Sequence, residues 1–483
     1  MLSLKDSQKK IDKKEKSKLE REIPYFITFV ALLATSGFGP FTIFEKIKHL
    51  EILPSTQTQA KRILKRIEIL GMDPISAISQ AKDKTSSRLM SDFLGGYVSA
   101  IEGGGDVVNY LKSKMNGAFE AYAENEKQKI SKVKALVESY MTIQIVILAV
   151  YIIFSAVGSG TDPAELARND STNQSQILLI VIPPIVSAAF IFLAGKTNAA
   201  FLPEMPIKQI AIYTIPTFGI GLALVLSGIV KEYNSFIMMF VLVASAVFPA
   251  MKFKNTYQKS VDAESSTPRI MRDIAESRKA GISPEKCVIR ACKRQDYKMF
   301  TPTSNTIASK LEWGMPFNEI FTSLKKEIKD FQVLINFRIL FEIISGGGGN
   351  VHTLISLADI SEKIHGIEKT KRELLKPYIM IGFILMGMTG LTTLLVIDSL
   401  ASIGIQSETD LDKIALMEKN SQESFEMYSI AILIQGWLAG IFLGKVVTGT
   451  YSGGFQYSII LVLIAFASIM LIQSGIVSIG ALF

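Results

Sequence analysis

Seven stretches of this chain carry no charged side chain: Tyr140–Val157, Ile177–Ala194, Ile210–Val230, Phe236–Met251, Tyr378–Ile397, Tyr428–Gly444 and Tyr457–Ile479. Each is near the roughly twenty residues a helix needs to cross hydrocarbon, so each predicts a membrane span. Elsewhere the pattern changes. In Arg62–Ile78 the apolar Ile63, Leu64, Ile67, Ile69 and Leu70 recur at helical spacing, with Lys61, Arg62, Lys65 and Arg66 opposite. Gly71 supplies an end to that helix, and Asp73-Pro74 opens the next with a cap and a first-turn proline. Soluble amphipathic helices are therefore expected before the first span and again between the fourth and fifth. One more uncharged stretch, Tyr25–Phe44, follows a lysine-rich start and competes as a signal sequence or an eighth span.

The two soluble regions are copies of one another. At an offset of 244 residues Pro24 falls on Pro268, Gly37 on Gly281 and Pro40 on Pro284. The run Gly104-Gly105-Asp106-Val107 falls on Gly348-Gly349-Asn350-Val351, and Gly71-Met72 meets Gly314-Met315 at an offset of 243. Glycine and proline mark where a backbone turns or a helix stops, so a shared skeleton implies a shared order of helices and turns. The clusters at Gly103–Gly105 and Gly346–Gly349 read as tight inter-helix turns, with Asp106 and Asn350 capping the helices that follow. About six helices per copy, packed as a bundle, are expected. The repeat also argues against an eighth span. The counterpart of Tyr25–Phe44 contains Arg272, Asp273, Glu276, Arg278 and Lys279, and the Ser36–Pro40 break would split the stretch near its middle.

Charge sets the expected orientation. Residues 1–139 hold 23 basic against 17 acidic side chains, and residues 252–377 hold 22 against 15. The loops predicted on the other side are acidic: Asp162, Glu165 and Asp170 against Arg168, and seven acids against Lys413 and Lys419 over residues 398–427. Lys196, Lys208 and Lys445 fall in short connections predicted inside, where the positive-inside rule is strongest. Seven spans then place both repeats in the cytoplasm and the C-terminus outside. The two N-x-Ser/Thr sequons, at Asn169 and Asn173, lie in the first predicted outside loop, as candidate glycosylation sites.

Candidate chemistry is sparse. The glycine run before Asn350 has no following lysine and no preceding strand, so it lacks the makings of a phosphate loop. His49, His352 and His365 are scattered, without a carboxylate or cysteine at ligand spacing. Cys287 and Cys292, five residues apart, make neither a disulfide framework nor a four-ligand zinc site. No catalytic, cofactor or metal residues are assigned, and the chain reads as a non-enzyme. None of the seven spans holds an Asp, Glu, Lys, Arg or His, which argues against a transporter. Gly436, Gly440 and Gly444 line one face of the sixth span. Such a face lets helices approach closely, either within the chain or between two copies.

Two cytoplasmic helical repeats, each preceding membrane spans, resemble the type II secretion F-domain family, the membrane platform subunits of type IV pilus, secretion and archaellum machines. The residues carrying this are Ala34-Thr35-Ser36-Gly37 and Lys279-Ala280-Gly281-Ile282-Ser283-Pro284, similar to the family's glycine-terminated helix. Glu102-Gly103-Gly104-Gly105-Asp106-Val107 through Leu111 is similar to its acidic-glycine turn, and in the second copy Gly346 stands at the place of the glutamate. Pro377-Tyr378 resembles its tyrosine-proline pair only in reversed order. Seven spans with a multi-helix insert between the repeats look like the archaeal branch.

The resemblance implies an all-α polytopic membrane protein with two homologous cytoplasmic six-helix bundles and about seven transmembrane helices. The expected divisions are a basic N-terminal tail (1–23), repeat 1 (24–139), a four-helix membrane segment (140–251), repeat 2 (252–377) and a three-helix membrane segment (378–483). It implies a platform or adaptor that couples a hexameric cytoplasmic secretion ATPase to insertion of pilin-like subunits into a filament. Besides these partners and the bilayer, a homo-oligomer is expected, a dimer first; no nucleic acid is. Lys61, Arg62, Lys65 and Arg66, with Lys325, Lys326 and Lys329, are the candidate ATPase-docking residues. A membrane scaffold or receptor unrelated to filaments fits the same architecture.

Overall fold

The computed structural model describes residues 2–158, 170–197, 234–294, 296–347, 349–407 and 411–474, with scattered positions between 210 and 223. Every regular element among them is helical. The first group is α1 (Leu2–Thr35), α2 (Pro40–Lys48), α3 (Pro54–Leu70), α4 (Pro74–Lys84), α5 (Arg88–Glu102) and α6 (Val107–Gly158). After α7 (Asp170–Thr197) come α8 (Asn234–Lys279), α9 (Pro284–Arg294), α10 (Thr301–Glu312), α11 (Phe317–Glu327), α12 (Phe331–Ser345) and α13 (Val351–Ser407). The chain continues through α14 (Leu411–Thr448) and α15 (Gly454–Gln473). The basic N-terminal stretch thus forms the start of α1.

Two compact units divide these helices. One comprises Met1–Lys127 with Gln258–Lys369, the other Gln128–Tyr257 with Thr370–Phe483. Most of both repeats therefore falls within one unit, and the seven uncharged stretches fall within the other. The chain passes from unit to unit inside α6, α8 and α13.

In the first unit the helices α1 to α6 and α8 to α13 follow one another with the same breaks. The breaks rest on left-handed glycines, which alone take that backbone without a Cβ penalty. Gly37 (φ 88°) pairs with Gly281 (φ 82°), and Gly71 (φ 63°) with Gly314 (φ 73°). Gly104 (φ 62°) pairs with Gly347 (φ 78°), and Gly348 lies outside the described residues. The second copy carries one extra glycine, so the alignment slips by a residue there. Gly346 accordingly stands at the C-cap place of Gly103 rather than at that of Glu102. Asp106 accepts from the Asn109 amide at 3.0 Å and Asn350 from the Thr353 amide at 2.8 Å, capping α6 and α13.

The core of this unit explains why two copies share it. From Ile23 to Leu33, α1 is buried at almost every position, as is α12 from Gln332 to Ile344. A helix apolar on all sides needs neighbours on all sides. The Tyr25 ring lies 6.1 Å from Phe119 and 6.0 Å from Tyr122 of its own copy, and 5.2 Å from Phe331 of the other. The segment Tyr25–Phe44 is thus the end of a core helix, a glycine turn and α2. It is not among the helices apolar enough to span a membrane.

The second unit is built from apolar helices. Five described helices hold a stretch long and apolar enough to cross a membrane: α6, α8, α13, α14 and α15. They contain the first, fourth, fifth and sixth uncharged stretches and the part of the seventh up to Gln473. The second appears as a shorter apolar helix segment, Val181–Lys196 of α7, with Pro183 and Pro184 inside it. The third, Ile210–Val230, lies largely outside the described residues. The architecture is that of an all-α, multi-pass membrane protein.

Candidate functional site

The first unit presents charged helix faces. Successive residues of α3 are about 100° apart, which sets Ala60, Ile63 and Leu64 on one side, and these are buried. Lys61, Arg62 and Lys65 lie on the opposite side, exposed, with no carboxylate partner among the described residues. Arg66 is half-buried and donates from Nη1 to the Ala77 carbonyl at 3.4 Å, tying α3 to α4. Glu68 pairs with Lys48 at 3.5 Å at the edge of this face. The pattern separates cleanly until the last turn, where Ile69 and Leu70, expected among the apolar positions, are each 67% exposed.

The second basic cluster is less free. Lys325 on α11 pairs with Glu51 in the α2–α3 connection at 3.2 Å, a bond between the two copies. Lys329 donates to the Lys325 carbonyl at 3.1 Å, and Lys326 is exposed. Other contacts also join the copies. Lys46 meets Glu342 at 3.3 Å, and Glu342 is held by Arg338 at 2.6 Å. Asn350 donates to the Thr35 carbonyl at 3.3 Å, and Ser36 and Thr353 hydroxyls lie 3.2 Å apart. The glycine turn of copy two accommodates both copies. A Cβ at Gly346 would overlap the Phe38 ring, and one at Gly349 would lie 2.8 Å from Pro284 Cγ. Arg278 Nε donates to the Gly349 carbonyl at 2.8 Å.

A buried polar group was hidden from sequence reasoning. His365 on α13 lies with Nδ1 3.0 Å from Glu264 Oε1 on α8, a partner 101 residues away. Beside them, Asp330 caps α12 by accepting from the Gln332 and Val333 amides, both at 2.9 Å. Burial, then the neighbouring Glu264 charge, pushes the Asp330 carboxyl up to about 7. Among the described residues no cluster of His, Cys, Asp and Glu could hold a metal ion. Both cysteines are buried, and burial pushes the Cys292 thiol up to about 12, which suppresses thiolate chemistry.

In the membrane unit, Gln435 Nε2 donates to Gln144 Oε1 at 2.6 Å, and the Tyr140 hydroxyl lies 3.1 Å from that of Ser187. These neutral polar side chains join α6, α7 and α14 where no charge is present. The glycines of α14 face α15. A Cβ at Gly440 would overlap the Ser458 backbone, one at Gly444 the Gly454 backbone, and one at Gly436 would lie 3.4 Å from the Leu461 carbonyl. This glycine face is filled by α15, with Met386 of α13 also 3.2 Å from a Cβ at Gly436. Asn173 lies in α7, and Asn169 lies outside the described residues.

No family model matches the chain. No solved structure matches it. It is similar to the uncharacterized protein MJ1286 of Methanocaldococcus jannaschii, 21% identical over 404 residues, covering 74% of this chain. The similarity spans 65% of that relative's length.

Proposed function

We propose that this chain is the membrane platform of an archaeal type IV filament machine, with both repeats in the cytoplasm and the C-terminus outside. In this reading a hexameric secretion ATPase docks on the soluble unit, and the membrane unit serves the insertion of pilin-like subunits into the filament. The observation that supports it best is the repeated helical module, each copy running into apolar helices, with a face of exposed cations. The platform acts by binding and movement; ATP hydrolysis belongs to its partner.

The test is capture of a secretion ATPase encoded beside the gene by the full chain in lipid nanodiscs, with filament formation scored in a deletion strain. Saturable binding and loss of filaments are expected. The chain alone hydrolyses no ATP. Normal filaments in the deletion strain, with no ATPase bound, would leave the filament-independent scaffold as the better reading. Lys325 is a poor choice for charge reversal, because Lys325→Glu would set a second carboxylate against Glu51 and disturb the bond between copies.

A further inference from the structure

The exposed arc of α3 combines two features. Lys61, Arg62 and Lys65 extend into water without carboxylate partners among the described residues, and one to two turns later Ile69, on the same side, and Leu70, at the helix end, are each 67% exposed. Gly71, left-handed at φ 63°, stops the helix directly behind them and holds them at its tip. Buried Thr56, Ala60, Ile63 and Leu64 on the far side anchor α3 in the core, so the fold does not need Ile69 or Leu70 exposed.

We propose that this arc is a docking surface for a protein partner with an acidic patch beside an apolar depression. Lys61, Arg62 and Lys65 orient that partner by complementary charge, and Ile69 and Leu70 enter the depression. The arrangement favours a protein over an anionic bilayer. Lys61 and Ile69 are about 12 Å apart along the helix, and the exposed Asp73 follows the apolar tip. An interfacial helix places its cations level with its apolar face, and an acid beside the inserted residues would repel anionic headgroups. On the platform reading, on which this inference rests, the partner is the motor.

The repeat supplies a control. Trp313, in the place of Leu70 before the left-handed Gly314, is 78% exposed. Its neighbour Glu312 pairs with Lys293 at 2.7 Å, and the one cation beside it on α10, Lys310, is half-buried and held by the Ser323 hydroxyl. Full-length chain in neutral nanodiscs is titrated with the ATPase. The double variant Ile69→Ser, Leu70→Ser should bind about tenfold more weakly, with an unchanged dependence on salt. The triple variant Lys61→Gln, Arg62→Gln, Lys65→Gln should flatten the salt dependence. Trp313→Ser should bind like the unaltered chain. Thermal midpoints check folding, and Ile69→Gln, Leu70→Gln serves if the serine variant is unstable. Wild-type affinity in the correctly folded double variant overturns the docking surface and leaves the platform reading standing. Equal losses in the double variant and Trp313→Ser also overturn it. Absence of ATPase binding by the unaltered chain overturns both. Reduced binding to phosphatidylserine vesicles, with ATPase binding intact, would assign the arc to lipid and overturn it as well.

Discussion

At the scale of single residues, the most consequential group is Asp330. Its carboxylate completes the first turn of α12, yet it is only 6% exposed and faces the carboxylates of Glu264 and Glu368, with His365 bound to Glu264. Its folded-state value of about 7 lies above that of the unfolded chain, so the folded state holds the extra proton between pH 4 and 7. The stabilisation from protonated Asp330 is fully present below about pH 4 and is lost as pH rises through 7. The other copy shows that a neutral cap suffices there. Ser87, at the same place before α5, accepts from the Met90 amide at 3.4 Å. Asp330→Asn keeps an acceptor for the cap and removes the titration. Thermal unfolding from pH 4 to 8 should show a declining midpoint for the unaltered chain and a flatter line for the variant, which is the more stable of the two at pH 8. Parallel lines would show that Asp330 is not the titrating group. The sequence offered no sign of this cluster, because Glu264, Asp330 and His365 are brought together only by the packing of α8, α12 and α13.

At the scale of helices, punctuation was legible and facing was less so. The glycine and proline skeleton located the breaks after α1, α3 and α5 and their counterparts, since a left-handed turn leaves a residue-type signature. Within the run Gly346–Gly349 it left open which residue turns, because four successive glycines give no local basis for the choice, and Gly347 takes the left-handed place. Leu70 fits the apolar stripe by spacing but lies beyond the reach of the core, and Ile69, at 100° per residue, falls on the cationic side between Lys65 and Arg62. The glycine stripe of α14 shows what spacing leaves open. The same three residues could serve a second copy or a neighbouring helix, and the contact with α15 settles their use within this chain. Gly440→Leu forces a side chain into the Ser458 backbone, where overpacking costs on the order of 1–3 kcal/mol. Its thermal midpoint in detergent should fall. Gly366→Ala on α13 meets nothing within 4 Å and should hold or raise the midpoint through helix propensity. Equal midpoints for Gly440→Leu and the unaltered chain would mean that the α14–α15 contact is loose.

At the scale of the whole molecule, the division into soluble and apolar segments was readable because each depends on runs of local sequence. That both repeats would enter one compact unit was not readable, since contacts such as Lys46–Glu342, Lys325–Glu51 and Tyr25–Phe331 join residues about 270 to 310 apart and leave no period. Orientation rests on the charge of the loops and is open to a direct test. Single cysteines at Asn173, in α7, and at Ser407, the end of α13, should react with an impermeant thiol reagent in intact cells. A cysteine at Lys325, on the exposed face of α11, should react only after permeabilisation. The native thiols give little background, because Cys287 and Cys292 are buried and their ionisation is opposed by desolvation. Labelling at position 325 in intact cells would invert the arrangement and place the basic α3 face outside, away from any cytoplasmic motor. Protection at position 173 with labelling at 407 would instead put an even number of crossings between the first soluble copy and α7, and would change the number of spans before the second copy.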